Sequence, residues 1–427
     1  MIDILFVENS IGLSGSTMSL CTLLNYLDSG VFGAHTVLSR PEQETYLLGR
    51  LRRPEPITVI TPRRSLKQSA AVQRMLDRLG GRRPRLHRTV LRLASLLDVL
   101  VVTIPYAWRL YRWAKKRKIK LIHQNNGFDL GSLLLSRILR VPLVAYQRGE
   151  EWNSPAVRWL ARGVRHYIAN SATTLASLTS LGIRSQRVSL IYPPLDLGEF
   201  DNRRPPVLSR SGFGLDTSAL CFAIVGILVP WKGQIVFLKA ARRVLDRVPN
   251  ARAVIVGGAP HDGKSYVDEL KSLACDLGIA DRVIFTGFRA DVPEILKLVD
   301  VVVHASISPE PFGRVIVEAM AMRRPVVASR AGGPLEIIED NRNGFLVPPG
   351  DHEALASRII ELLEDRALSA RIAEAAYRDV ESRFSAEKHA REVQQVYETV
   401  LYPKSDAIAM ERRADRARRA AAMRKEM

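Results

Sequence analysis

The sequence predicts an α/β chain of two Rossmann-like, doubly wound domains facing a cleft. Three observations carry this. Short apolar, β-branched runs alternate with helical patterns along the chain. Irregular Gly, Pro and polar residues cluster at the C-terminal ends of those runs, the edge at which doubly wound sheets bind ligands. The alternation breaks once, near residue 205, and 427 residues suffice for two domains with their own cores. The expected parts are a first domain over 1–200, a linker over 201–216 rich in Pro, Gly, Ser and Arg, and a second domain over 217–385. A helix over 386–402 and a basic tail over 403–427 follow.

In the first domain, strands are expected at Ile4 to Val7, Thr36 to Leu38, Ile57 to Ile60, Ile119 to His123, Pro142 to Tyr146, His166 to Asn170 and Val188 to Ile191. The loop Glu8 to Thr17 opens a helix from about Met18 to Leu27. Gly12 and Gly15 with Ser14 and Ser16 can line a phosphate or sugar site at that helix start, or simply turn the chain. Gln147-Arg148-Gly149-Glu150 closes another strand. In the second domain, strands are expected at Leu220 to Val225, Ala253 to Gly257, Arg282 to Phe288, Val301 to His304 and Pro325 to Ser329. Helices are expected over Val292 to Val299, Gly313 to Met322, Glu353 to Leu363, Ala367 to Phe384 and Glu387 to Leu401.

Composition narrows the function classes. Apolar residues make up 47% and charged residues 25%, which is globular rather than disordered. Cys21, Cys221 and Cys275 are odd in number and widely spaced, so neither a disulfide framework nor a zinc site is suggested, and a reducing cytoplasm fits. Met1-Ile2-Asp3-Ile4 begins a strand, with no signal-peptide pattern. The net charge of +19 is concentrated: between Arg50 and Lys120 there are 20 Lys and Arg against 3 acids, a difference of +17. Within it, the segment over 63–118 holds a basic break at Arg82-Arg83-Pro84-Arg85 and then a mostly apolar run from Thr89 to Trp113. The uncharged part, Val99 to Trp108, is too short for a membrane span, and Arg92, Asp98 and Pro105 argue further against one. It reads either as a helix packed on the domain or as an interfacial segment. In the second case Trp108, Tyr111 and Trp113 would sit at headgroup level on an anionic membrane. No nucleic-acid motif is present.

The candidate chemistry lies between Asp300 and Asp351. Ser306 to Pro311 is a loop, since its prolines bar helix. Gly313 lets a ligand approach the backbone, and the helix start after it suits a phosphate. Glu318 follows Arg314 by one turn, roughly 6 Å along the axis, on the same face. Glu310 stands on the other side of the expected phosphate. The two glutamates can bracket a nucleoside diphosphate sugar, act as a glycosidase pair, or be surface residues of a βα loop.

The stretch closely resembles the donor-site segment of the retaining glycosyltransferases of family four, glycosyl transferases group 1, which have the GT-B fold. The resemblance rests on Ser306, Glu310-x-Phe312-Gly313, Glu318-Ala319-Met320-Ala321, Pro325 to Ala328, Gly332-Gly333-Pro334-x-Glu336 and Gly344-x-x-Val347-Pro348-x-Gly350-Asp351. It speaks against the glycosidase pair. Gly226 to Gly233 resembles the family's pyrophosphate loop, with Lys232 in the lysine position and Ile227 where an arginine is usual. Arg148 stands where many relatives have histidine near the donor sugar, so the site is cationic there. Gly287 and Phe288 resemble the nucleobase wall, and the loop at Gly15 the family's glycine-rich first loop. Tyr192 to Phe200 resembles the interdomain segment, and the helix over 386–402 the one that crosses back to the first domain. Arg323 replaces a usual glycine.

The resemblance implies sugar transfer from a nucleotide-sugar donor to a hydroxyl acceptor, with retention and without metal or cofactor. Lys232, Glu310 and Arg148 would be catalytic. Gly15, Gly287, Phe288, Ser306, Phe312, Gly313, Arg314 and Glu318 would bind the donor. The basic, aromatic segment favours a glycan or lipid-linked acceptor in cell-surface glycan assembly, at the inner face of the cell membrane. A sugar-nucleotide epimerase of the same fold, or a catalytically weak nucleotide-sugar-binding partner of a membrane glycan complex, is the alternative.

Overall fold

Apolar β-branched runs that are buried on both faces form parallel strands, and the chain carries two sets of them. The computed structural model describes the chain except residues 11–13, 63–64, 66–68, 70–71, 73, 76–83, 150–152, 217, 260–263 and 403–427. Gly12, Arg82, Arg83, Glu150 and the basic tail lie outside the described residues. Among the described residues two compact units result: 1–169, 174–191 and 390–402 form unit one, while 170–173 and 192–389 form unit two.

Unit one has strands β1 (Ile2–Glu8), β2 (Phe32–Leu38), β3 (Ile57–Val59), β4 (Leu121–Gln124), β5 (Leu143–Gln147), β6 (His166–Ala169) and β7 (Val188–Leu190). They pair in parallel in the order β3-β2-β1-β4-β5-β6-β7. Successive strands run outward from β1 and then back across it, so the order reverses between β1 and β4. That is the switch point at which such sheets open a crevice. One face is covered by the helix Gly15–Tyr26 and by the last helix, Ala386–Leu401. Val393, Val396, Tyr397 and Val400 of the latter are buried with Phe6, Phe32 and Tyr146. The Tyr397 hydroxyl lies 2.8 Å from His123 Nδ1.

Unit two has β8 (Leu220–Val225), β9 (Ala251–Val256), β10 (Val283–Gly287), β11 (Val301–His304), β12 (Val326–Ser329) and β13 (Phe345–Val347) in the order β10-β9-β8-β11-β12-β13, all parallel. The switch point is between β8 and β11. The helices Gln234–Arg247 and His352–Glu364 pack on one face, while Arg314–Ala321 and Arg366–Arg383 pack on the other. The Pro- and Gly-rich stretch over 201–216 is packed rather than loose: Leu215 is buried and Leu208 and Phe213 rest on the same core.

The segment after residue 83 is helical well beyond the uncharged Val99 to Trp108 stretch. Pro84–Asp98, a wide π turn at Val99–Thr103 and Ile104–Ala114 form one continuous helical run. Continued by the 3₁₀ turn Lys115–Arg117, the stretch Thr89–Arg117 is by length and composition long and apolar enough to cross a membrane, and only 18% of its most apolar part is buried. Pro105, expected to argue against a membrane span, does not end the helix, because it follows the π turn. The Ile104 N–H there reaches back to Val99 O, so the wider turn absorbs the lost donor. Trp113 fits the packed-helix reading rather than the interfacial one. Its Nε1 donates to Thr58 Oγ1 at 3.0 Å and the Arg117 guanidinium stacks on its ring, so it faces the protein rather than a headgroup layer.

Candidate active site

In unit two Lys232, Ser306, Glu310 and Gly313 converge at the β8/β11 switch point. After β8 the chain makes a short turn, Pro230–Lys232, and starts the helix Gln234–Arg247 at Gly233. Gly233 has φ +75°, and a Cβ there would sit 1.9 Å from the Ala305 carbonyl oxygen. Only glycine lets the Lys232 loop press against the end of β11 this closely. The Ile307 N–H donates to Trp231 O at 2.9 Å and ties the two loops together.

After β11, the loop bearing Glu310 is pinned from the other side. Gly333 N donates to Glu310 O at 2.7 Å, and Glu310 pairs with Gly332 in a parallel bridge. The Glu310 side chain therefore points to a fixed place. Lys232 Nζ donates to its Oε1 at 2.6 Å. On Oε2 it receives His304 Nε2 at 2.7 Å and the Ser306 hydroxyl at 3.0 Å. Facing a carboxylate, His304 Nε2 carries the proton. Burial pushes the Glu310 carboxyl up, but the hydrogen bond and charge from His304 and the Lys232 ammonium outweigh it and hold the group at about 2. It is an anion at any physiological pH, able to accept hydrogen bonds and not to donate a proton.

Gly313, with φ +93°, caps the helix Arg314–Ala321. That N-terminus lies beside the cluster, since a Cβ on Gly313 would be 3.8 Å from His304 Nε2. A helix start next to a lysine is suited to an anion such as a phosphate. One turn on, Arg314 Nε donates to Glu318 Oε1 at 2.6 Å. Burial pushes the Glu318 carboxyl up, against the pull of the Arg314 charge.

Other expected donor contacts are placed differently. Phe312 is buried against Tyr192 and Phe384, with ring centroids 5.9 and 5.7 Å away, so its side chain supports the loop rather than facing a ligand. Phe288, just after Gly287 at the end of β10, is 70% exposed and free to cover a flat ring. Ile227 is also exposed, an apolar group in the loop beside Lys232.

In unit one, Gly15 follows β1, and Arg148 follows β5 and reaches the end of β4. Arg148 donates from Nε to Asn125 O at 2.8 Å and from Nη2 to Asn125 Oδ1 at 3.0 Å, while stacking on Tyr146. Asn125 Nδ2 in turn donates to Glu8 Oε2. Glu8 is fully buried, and its Oε1 accepts from Ser10 N at 2.9 Å and Ser16 Oγ at 3.2 Å. Gly15 is exposed and begins the helix Gly15–Tyr26. Sequence reasoning passed over His304, Asn125 and Glu8. Their one local signal was position, each being polar at the C-terminal end of an apolar strand.

The family model for Glycosyl transferases group 1 matches residues 209–379, and that for Glycosyltransferase Family 4 matches 46–199. A D-inositol 3-phosphate glycosyltransferase of Mycobacteroides abscessus is 37% identical over 42% of this chain and 39% of its own length. In it and three similar curated relatives the match spans only 39% to 55% of the relative. A lipopolysaccharide core biosynthesis mannosyltransferase, LpcC of Rhizobium leguminosarum, is 29% identical over 74% of this chain and 89% of its own length. Among solved structures, Anabaena HepE in complex with UDP superposes with a TM-score of 0.73 and 27% identity, covering 93% of this chain and 100% of that one. The same protein has been solved with UDP-glucose.

Proposed function

Because the chain belongs to the family-four glycosyltransferases, group 1, with two parallel sheets of the GT-B type, we propose that it transfers a sugar from a nucleotide-sugar donor to a hydroxyl with retention. The observation that carries the reading is the Lys232–Glu310–His304 cluster at the β8/β11 switch point, beside the helix start at Gly313. The donor's anomeric C–O bond to the diphosphate breaks. A new bond to the acceptor oxygen forms on the same face, and the acceptor proton passes to the departing diphosphate oxygen. Lys232 and the N–H groups of the helix Arg314–Ala321 stabilise the charge growing on the diphosphate. Glu310 accepts hydroxyls of the donor sugar, Glu318 accepts those of the ribose, and Phe288 lies on the base. With Ile227 where a second cation is usual, more of that charge falls on Lys232. Neither metal nor cofactor is needed in this scheme. The role of Arg148 as a fixed positive charge toward the donor sugar rests on the resemblance alone.

The donor is proposed to be a UDP-sugar, which HepE's complexes support. The acceptor is proposed to be a glycan or lipid-linked hydroxyl of a cell-surface polymer at the inner face of the cell membrane, which the similarity to LpcC supports. Thermal unfolding with UDP, GDP, ADP and their sugars tests the donor. UDP at 100 times its Kd should add about 2.7 kcal/mol to the folded state and raise Tm visibly. Flat melting curves with every nucleotide at millimolar concentration would overturn the reading.

A further inference from the structure

We infer that the helical run from Pro84 to Ala114 docks this protein flat on an anionic lipid bilayer, its outward face entering the headgroup and acyl boundary. The face is made by Leu93, Leu96, Leu97, Leu100, Ile104 and Trp108, mostly three or four residues apart, and all are exposed. Leu96, Leu100 and Trp108 are 64%, 60% and 57% exposed. A contiguous apolar stripe of this kind marks an interaction surface.

Three observations choose the occupant and the posture. The first is burial on the opposite face: Tyr106, Ala107, Leu110 and Ala114 are buried, with Tyr106, Leu110 and Ala114 in the core of unit one. A helix packed along a water-soluble sheet layer lies on a membrane and does not run through it, although its length would permit a span. The second is charge of one sign. Between Arg109 and Lys120 there are 7 Lys and Arg and no acid. Arg109, Arg112, Lys115 and Lys116 are exposed at the end of the stripe. The one acid between residues 84 and 120, Asp98, accepts from Ser65 Oγ at 2.5 Å. An apolar stripe continued by cations fits an anionic lipid surface, where acyl chains take the leucines and phosphates take the ammonium and guanidinium groups. The third is the ring pair at the junction. Trp108 lies 5.4 Å from Tyr111, which puts amphipathic rings between the apolar and cationic parts, at the depth of the headgroups.

This inference goes beyond the donor chemistry and stands on residues of unit one alone. The test is flotation of the full chain with vesicles of phosphatidylcholine containing phosphatidylglycerol, and with phosphatidylcholine alone. Wild type should float with the anionic vesicles and be released as salt is raised. The triple variant Leu96→Ser, Leu100→Ser, Trp108→Ser changes exposed residues only, and it should lose at least about tenfold in vesicle partitioning, since each group leaves an apolar environment. A UDP melting shift equal to wild type would show that the variant is folded. Wild type that stays unbound at low salt, or a triple variant that floats equally well, overturns the inference. So does a concentration-dependent wild-type dimer that the triple variant abolishes, because a second copy would then occupy the face. Vesicle binding without any nucleotide shift would count against the donor assignment and leave the membrane face intact.

Discussion

Replacing Lys232 by alanine is expected to lower kcat for sugar transfer by about 10²–10³, the usual cost of removing one group that stabilises charge in the transition state. It should do so with a smaller change in the melting shift given by the nucleoside part of the donor, which Phe288 and Glu318 are proposed to hold. The same variant carries a stability signature that a purely catalytic residue lacks. Lys232 and Glu310 are a mostly buried pair, with side chains 15% and 13% exposed. Removing one partner of such a pair costs roughly 3–5 kcal/mol when no water replaces it, and less at this residual exposure.

The pH dependence follows in sign. The Glu310 carboxyl is held at about 2 in the folded chain, against an ordinary value of 4.5. A depressed carboxyl contributes stability that is complete above its unfolded value and is lost as pH falls from 4.5 toward 2. Without Lys232 the folded value rises. The stability gap between wild type and Lys232→Ala should therefore be widest above pH 5 and narrow toward pH 2. Urea melts at pH 7 and pH 3 would read it, and a gap that does not narrow in acid would refute the pairing. Lys232→Met, which keeps the stem and removes the charge, should behave as the alanine variant does.

Gly233→Ala is expected to be among the most damaging single-methyl changes in unit two. The new Cβ would lie 1.9 Å from the Ala305 carbonyl oxygen, on a backbone at φ +75°. The left-handed conformation alone costs about 1–2 kcal/mol, and forcing a backbone apart adds a further 1–3 kcal/mol or so. The Lys232 loop must lift from the end of β11, so donor binding should fall along with stability. Gly350→Ala is the control. Gly350 also has positive φ, +81°, but a Cβ there meets nothing within 4 Å. It should cost only the conformational part, about 1–2 kcal/mol, and leave the UDP shift unchanged. Equal losses in the two variants would mean that the close approach at Ala305 carries no weight.

Most of the strand and helix alternation was legible because parallel strands buried on both faces leave an unmistakable pattern. β11 runs from Val301 to His304 and β8 from Leu220 to Val225, the ranges expected from composition alone. The three-residue β13 was not legible, because Phe345-Leu346-Val347 is set between Asn343-Gly344 and Pro348-Pro349 and reads as part of a turn-rich loop. Glu310 and Lys232 were legible through resemblance, but their contact was not, since it joins residues 78 apart. His304 was hidden for a related reason. A histidine ending an apolar strand reads as part of the strand until the Gly332 bridge curls Glu310 back onto it. Glu8 looked like the first residue of a polar loop, and its complete burial depends on Asn125, 117 residues away. The side on which Trp113 lies was not legible either, because its half-buried indole finds Thr58, a partner no local pattern announces.

The last helix has a consequence for how the chain is made. Every residue of unit two has been synthesised by His389, whereas the core of unit one still lacks Val393, Val396, Tyr397 and Val400. The first half of the sequence therefore waits, its β1 and β2 core residues partly uncovered, while the second half can already close. At about 5–20 residues per second that delay lasts on the order of ten seconds or more between the end of β7 and the arrival of Tyr397. Pulse proteolysis of ribosome-bound chains stalled well beyond Leu401 should find both units resistant. Chains released at residue 389 should keep unit two and lose unit one, and the reverse result would contradict the packing of that helix. Order of birth and order of completion are thus inverted in this molecule.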